Sequence, residues 1–230
     1  MPPRFQRARK PEEKEVRRQA ILKASRRLMD QVGAVDFSLS DLARASRVSK
    51  PNIYRYFESR EEVLLQLWVE EVRELTDRLE RSFGKVAAGD IAATSRAVVA
   101  GFAARRQLCE LTSIISPVVE RNLSADAILT AKMTLVGLTS RIAQLLHERL
   151  PSISIADCAW AASAIAIYVA GIWPAVNPAP AVAEVLARPE LAGMQPDFER
   201  DFTRFVEVLF AGLAARESSA RGETPRPPRG

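Results

Sequence analysis

Apolar residues return along most of this chain every three or four positions, the spacing of one face of an α-helix. β-Branched runs of alternating polarity bounded by Gly or Asn-Gly turns are missing. The first helical stretch runs from about Glu12 to Val32. Val16, Ala20, Ala24 and Leu28 recur there every four residues, Ile21 and Val32 widen the stripe, and Gly33 stops it. Three short signals follow closely. Ser38-Leu39-Ser40-Asp41 reads as a capping box opening a helix that reaches about Ala45. Ser49 can cap a third helix, with Pro51 tolerated in a first turn whose N–H groups lack helical partners anyway; this helix is expected to end near Phe57. Ser59-Arg60-Glu61-Glu62 reads as a second capping box. It opens a long helix with Leu64, Leu67, Trp68, Val72, Leu75 and Leu79 on its apolar face, extending to about Phe83.

Further helices are expected near residues 90–108, 124–149, 155–173 and 196–215, broken at Gly89, Pro117, Pro151 and the stretch from Pro174 to Pro196. That last stretch has room for one short helix at Ala181–Ala187. The pattern predicts an all-α chain in four parts. Residues 1–11 form a basic, aperiodic arm, residues 12–60 a three-helix helix-turn-helix domain, residues 61–215 a larger helical domain, and residues 216–230 have a disordered tail's composition. No internal repeat is visible.

Charge sharpens this division. Residues 1–60 hold 15 Lys/Arg against 7 Asp/Glu, a balance of +8, which leaves −3 for the rest of a chain whose net charge is +5. A basic front on a mildly acidic body suits a polyanionic partner for the front alone. Two cysteines, Cys109 and Cys158, make neither a disulfide framework nor a metal-ligand spacing, and a charged N-terminus without an apolar core is not a signal peptide, so a reduced, cytoplasmic protein is expected. The uncharged run from Cys158 to Trp173 is short of the roughly 20 residues a span needs and rich in Ala, and it reads as a buried or subunit-interface helix rather than a membrane segment.

The segment Phe37–Phe57 (FSLSDLARASRVSKPNIYRYF) carries most of the functional information. Its core positions are Leu42, Ala43, Val48, Ile53 and Phe57, and helices this short need neighbours to hold them. The other face of the second short helix collects Lys50, Asn52, Tyr54, Arg55 and Tyr56, donors and aromatic amphipaths that suit a DNA major groove. Asn and Lys can reach base edges, while Tyr hydroxyls more often meet phosphates.

These residues resemble the DNA-binding domain of the tetracycline-repressor (TetR) family of transcriptional regulators. The likeness runs from about Arg17 to Leu67, through the helix ending at Gly33, then FSLSDLA, VSKPNIYRYF and ESREEVL. The resemblance implies that Lys50, Pro51, Asn52, Tyr54 and Tyr56 face groove or phosphate, that Ser38 and Ser40 start a phosphate-contacting helix, and that Arg60 stands where the family usually has a phosphate-binding Lys. Two positions depart from the pattern. Arg47 occupies a turn where the family commonly has Gly, and Pro51 replaces a small residue and removes one N–H from possible phosphate binding.

Beyond Phe83 the resemblance concerns architecture alone, and implies a helical domain for homodimerisation and for a small-molecule pocket. Ala159, Ala162, Ala166 and Ala170 permit close helix approach, and Phe202, Phe205, Val206, Leu209, Phe210 and Leu213 form a stripe, so residues 155–173 and 196–215 are the expected dimer helices. Phe102, Met133, Leu138, Trp160, Tyr168 and Trp173 are candidate pocket liners. The single histidine, His147, late in a helix, suits the helix dipole. No P-loop, dinucleotide-binding Gly motif, His-rich metal site or local Cys–His signature is present, so no cofactor, metal or catalytic residue is expected. The resulting expectation is a dimeric repressor released from a palindromic operator by a small apolar ligand; a regulator of the same fold that activates or ignores ligand is the alternative.

Overall fold

A computed structural model describes residues 11–222 apart from Val35 and Phe37, so the arm before Pro11 and the tail beyond Gly222 lie outside the described residues. Among those described, every regular element is helical. The N-terminal unit comprises α1 (Pro11–Val32), α2 (Leu39–Ser46) and α3 (Lys50–Ile53), and α4 (Arg60–Phe83) leads out of it. The body adds α5 (Ile91–Ala103), α6 (Arg106–Ile114), α7 (Ala125–Arg149), α8 (Ile155–Val176), α9 (Pro180–Leu186) and α10 (Phe198–Gly222).

The boundary signals act as their chemistry requires. Gly33 ends α1 at φ 82°. Ser38 caps α2 in a complete capping box: its hydroxyl oxygen accepts from the Asp41 N–H at 3.2 Å while the Ser38 N–H donates to Asp41 Oδ2 at 3.1 Å. The Ser59 hydroxyl likewise accepts from the Glu62 N–H at 3.1 Å, but the Glu62 carboxylate reaches one residue further back and accepts from the Glu58 N–H at 2.5 Å. Ser49 holds the cap position of α3 without a side-chain bond; its carbonyl accepts from the Asn52 and Ile53 N–H groups instead.

Several elements differ from expectation. In α1 the buried face is Ile21, Leu22, Ala24, Ser25, Leu28 and Met29, whereas Val16 is 69% exposed and Ala20 and Val32 also face solvent. A row spaced strictly by four advances about 40° around a helix at each step, so Val16 and Val32 cannot share one face. α3 is a single turn, and the chain from Tyr54 to Phe57 continues in tight turns rather than regular helix. The expected helix over 90–108 is two, divided at Ala104 and Arg105. Pro117 does not open a loop. It falls in a π-helical turn (Ile115–Val119), closed by the Glu120 N–H donating to the Ile115 carbonyl, and a 3₁₀ turn (Glu120–Asn122) follows. α10 reaches Gly222, well into the segment read as tail.

Two hydrophobic cores share α4. One gathers α1, α2, Ile53 and Phe57 around the first half of α4 and extends to Leu111, Ile115, Val119 and Ala131 of the body. The other joins the second half of α4 to α5, α6, α7, α8 and α10. Trp68 packs against both. α5 rides close on α4 at Gly101, where a Cβ would come within 2.8 Å of Leu75 Cδ1. α8 is long and apolar enough to cross a membrane by length and composition, yet Cys158, Ala161, Ile165, Val169 and Ile172 bury one face of it in the helical core. Its other face leaves Trp160 and Ile167 exposed.

Candidate nucleic-acid interface and effector cavity

α2 and α3 are too short to stand alone, and Leu42, Ile53 and Phe57 fix them by burial against α1 and α4, with Ala43, Val48 and Tyr56 packed partly over the same core. This anchoring turns a polar surface outward. Ser38, Ser40, Lys50, Pro51, Tyr54 and Arg55 are exposed, and Asn52 is half-buried with no side-chain hydrogen bond among the described residues. Lys50 Nζ lies 3.5 Å from Ser40 Oγ, so the starts of α2 and α3 present one donor cluster. Tyr56 keeps its ring against the core. Arg60 is held more tightly: its Nη2 donates to the Ala34 carbonyl at 2.7 Å and its Nη1 is 3.6 Å from Glu61. Arg47, in the turn between α2 and α3, is left-handed at φ 55°, the conformation that favours glycine. The Ser38 hydroxyl and backbone N–H hold the Asp41 carboxyl below its ordinary range, and Arg44 adds to this, so the cap is charged at neutral pH.

The head is tied to the body by a polar cluster that the apolar pattern conceals. Glu71, 3% exposed, occupies the buried stripe of α4 between Leu67 and Leu75. It pairs with Arg26 of α1 on one side and with Arg105 Nη1 at 2.6 Å on the other; Arg105 also donates to Glu74 at 2.6 Å, and Arg26 reaches Glu74 at 3.0 Å. Gln107 Nε2 donates to the Arg26 carbonyl and to Asp30, and Glu110 accepts from the Ala34 N–H at 2.6 Å. One face of α6 thus grips α1. A carboxylate within an apolar stripe is the sequence signal that would have found this cluster.

The opposite face of α6 lines a cavity of about 540 Å³ among α4, α5, α6, α7 and α8. Leu75, Phe102 and Leu108 form its buried floor, and Lys132, Val136 and Ile167 lie at its exposed rim. Trp68 and Thr112 contribute to the wall, joined by a 3.0 Å bond from the indole N–H to the hydroxyl. Of the expected liners, Phe102 is there. Met133 and Trp160 face outward, Leu138 packs on the head core, and Tyr168 and Trp173 join α8 to α10. Tyr168 stacks on Phe205 at 4.0 Å and Trp173 meets Phe198 edge-on at 5.5 Å. Tyr and Trp residues there fill a helix contact, which spacing alone does not distinguish from a cavity.

The remaining reactive groups sit in structural places. Burial pushes the Cys109 thiol up to about 12 and the Cys158 thiol up to about 11, so neither carries a thiolate at neutral pH. His147 Nδ1 is 2.7 Å from the Ile153 carbonyl. Among the described residues no cluster of three His, Cys, Asp or Glu side chains could hold a metal ion.

A helix-turn-helix head carried on a helical body, with a cavity beside the helix that joins them, defines a DNA-binding regulator of transcription. The family model described as bacterial regulatory proteins, tetR family, matches residues 21–67, and the tetracyclin repressor-like C-terminal domain matches residues 65–217. The chain belongs to the TetR family. Solved structures share its fold. A possible TetR family transcriptional regulator from Streptomyces coelicolor A3(2) superposes with a TM-score of 0.59 at 20% identity, covering 86% of this chain and 99% of its own. The transcriptional regulator FadR from Bacillus subtilis, in complex with stearoyl-CoA, gives 0.54 at 16% identity over 85% and 98%. A TetR variant from Acinetobacter baumannii AYE, in complex with minocycline, gives 0.54 at 16% over 86% and 96%. A search of curated proteins finds no match.

Proposed function

We propose that the protein is a cytoplasmic homodimeric repressor that binds a palindromic operator and leaves it when a small, predominantly apolar molecule enters the cavity. The observation that carries this reading is the double role of α4, whose Leu64, Leu65 and Leu67 hold the head while its Trp68, Val72 and Leu75 line the cavity. A ligand that changes the packing of the second group shifts the first. Lys50, Pro51, Asn52, Tyr54, Arg55 and Tyr56 meet the groove and nearby phosphates, with Ser38 and Ser40 on the backbone and Arg60 bracing the start of α4. Two heads must reach successive major grooves about 34 Å apart, and a ligand that favours another spacing releases the DNA.

The dimer forms through α8 and α10. Trp160 and Ile167 on α8 and Val208 on α10 are apolar and exposed in the single chain, and only 28% of the most apolar part of α8 is buried. Two neighbours in fold are solved in complex with stearoyl-CoA and with minocycline, and the cavity of about 540 Å³ in this chain is of a size that suits a small ligand. The test is calorimetric titration of ligand with and without operator. Ligand should weaken operator binding by a coupling on the order of 1–3 kcal/mol, and operator should weaken ligand binding by the same factor. Equal ligand affinity in both titrations would leave a regulator that does not respond to ligand.

A further inference from the structure

The cavity's walls are apolar, and its polar groups are mostly spoken for. The hydroxyls of Thr112, Ser140 and Ser163 each donate to the carbonyl four residues back on their own helix, and the Trp68 N–H is given to Thr112. What these hydroxyls offer a ligand is therefore oxygen lone pairs, a poor setting for an anion. Lys132 is the exception. Among the described residues it is the one charged side chain lining the cavity, half-exposed at the rim on α7, whereas Phe102 and Leu108 of the floor are buried. Its partner is Glu120 Oε1 at 2.5 Å, a contact close in distance but not aligned as a hydrogen bond, so that this buried carboxylate oxygen has no hydrogen-bond donor.

We propose that the effector is an amphiphile with an apolar body and a single anionic end, and that its anionic end takes Lys132 from Glu120. This rests on the cavity being the effector site. One ammonium without a second cation matches a single carboxylate; a phosphate dianion would keep a charge unpaired in an apolar rim. The exchange also explains how occupancy reaches the head. Glu120 lies on the 3₁₀ turn directly after the π-helical turn, whose Ile115 and Val119 are buried in the head's core. Two residues past that turn, Ser124 donates through both its N–H (3.2 Å) and its hydroxyl (2.7 Å) to Glu58, immediately after the α3 turns. A second anion at Lys132 leaves the partly buried Glu120 carboxylate without its counter-charge, which favours movement of this turn and loosens its contact with the head.

The experiment compares dodecanoate with dodecan-1-ol, both below micelle-forming concentration, by calorimetry and by indole fluorescence of the full chain. The wild type should bind the carboxylate on the order of tenfold more tightly than the alcohol. Lys132→Met should abolish that preference while leaving alcohol binding intact, which also verifies that the cavity survives, and Lys132→Arg should restore it. Glu120→Gln should tighten dodecanoate several-fold and leave the alcohol unchanged. Hydrogen exchange of residues 119–124 should rise with dodecanoate and not with dodecan-1-ol. Equal binding of both probes, unaltered by Lys132→Met, would overturn the anionic end while the cavity stands as an effector site. Failure of both probes to bind would remove the effector reading and this inference together.

Discussion

Arg47 shows what a single side chain costs in this head. At φ 55° it holds the left-handed conformation that an L-residue with a Cβ adopts only at a penalty, and the tight passage from α2 to α3 requires it. Arg47→Gly should stabilise the protein by about 0.5–1 kcal/mol, the relief being partly offset by the greater freedom of unfolded glycine. Urea unfolding at constant m-value checks it. Asn52 carries a functional expectation instead. Its amide has no side-chain hydrogen bond among the described residues and stands between exposed Lys50 and Tyr54 in the chain. Asn52→Ala should cost about 1–3 kcal/mol on the cognate operator and little on random DNA, as measured by fluorescence anisotropy. Equal losses on both would make it a backbone contact. At this scale, signals with a local cause were legible: Gly33, Ser38 and Ser59 each act through bonds spanning three or four residues. Glu71 and Glu110 were not: a carboxylate in an apolar stripe marks Glu71 as buried, but the partners of both lie elsewhere in the chain and no spacing names them.

Among the elements, α4 and α6 carry the logic of the molecule. α6 has Leu108 and Thr112 in the cavity, Gln107 on α1 and Glu110 on the Ala34 N–H just past it, and the Arg105 just before α6 meets Glu71 of α4. Removing the shared carboxylate tests that joint. Glu71→Ala leaves Arg26 and Arg105 partly buried with a carboxylate missing between them, and should destabilise by about 3 kcal/mol, since a buried pair broken on one side keeps its desolvation cost. Thermal unfolding followed by far-UV circular dichroism gives the size; a change below 1 kcal/mol would mean that Glu70 and Glu74 substitute for it. Helix positions were most legible where an apolar face and a serine cap coincide, as in α2, α4, α7 and α8; α9, which has neither, starts at Pro180 and lies within one residue of the expected segment at each end. The π-helical turn was not. Proline predicts a break, but burial of Ile115 and Val119 on the head core keeps the chain wound through Pro117.

At the scale of the whole molecule, the exposed apolar faces of α8 and α10 decide how many heads reach the DNA. Trp160, 56% exposed, and Val208, 66% exposed, sit on these helices away from the cavity lining, so both can be changed without altering the ligand's walls. A charged residue at the centre of an apolar interface is costly unless paired, and in a two-fold interface each substitution appears twice, placing like charges near one another. Trp160→Glu with Val208→Glu should therefore sediment near 25.4 kDa at micromolar concentration, where the parent runs near twice that mass. A single head contacts about half the phosphates, so the dependence of log affinity on log salt should fall to about half the parent's slope, and preference for a palindrome over a single half-site should vanish. Dodecan-1-ol binding, read by calorimetry, should persist, because the cavity is built within one chain. Retention of the doubled mass in the double variant would move the dimer contact to another face, and the exposed α7 residues Leu129, Met133 and Val136 would be the next to change.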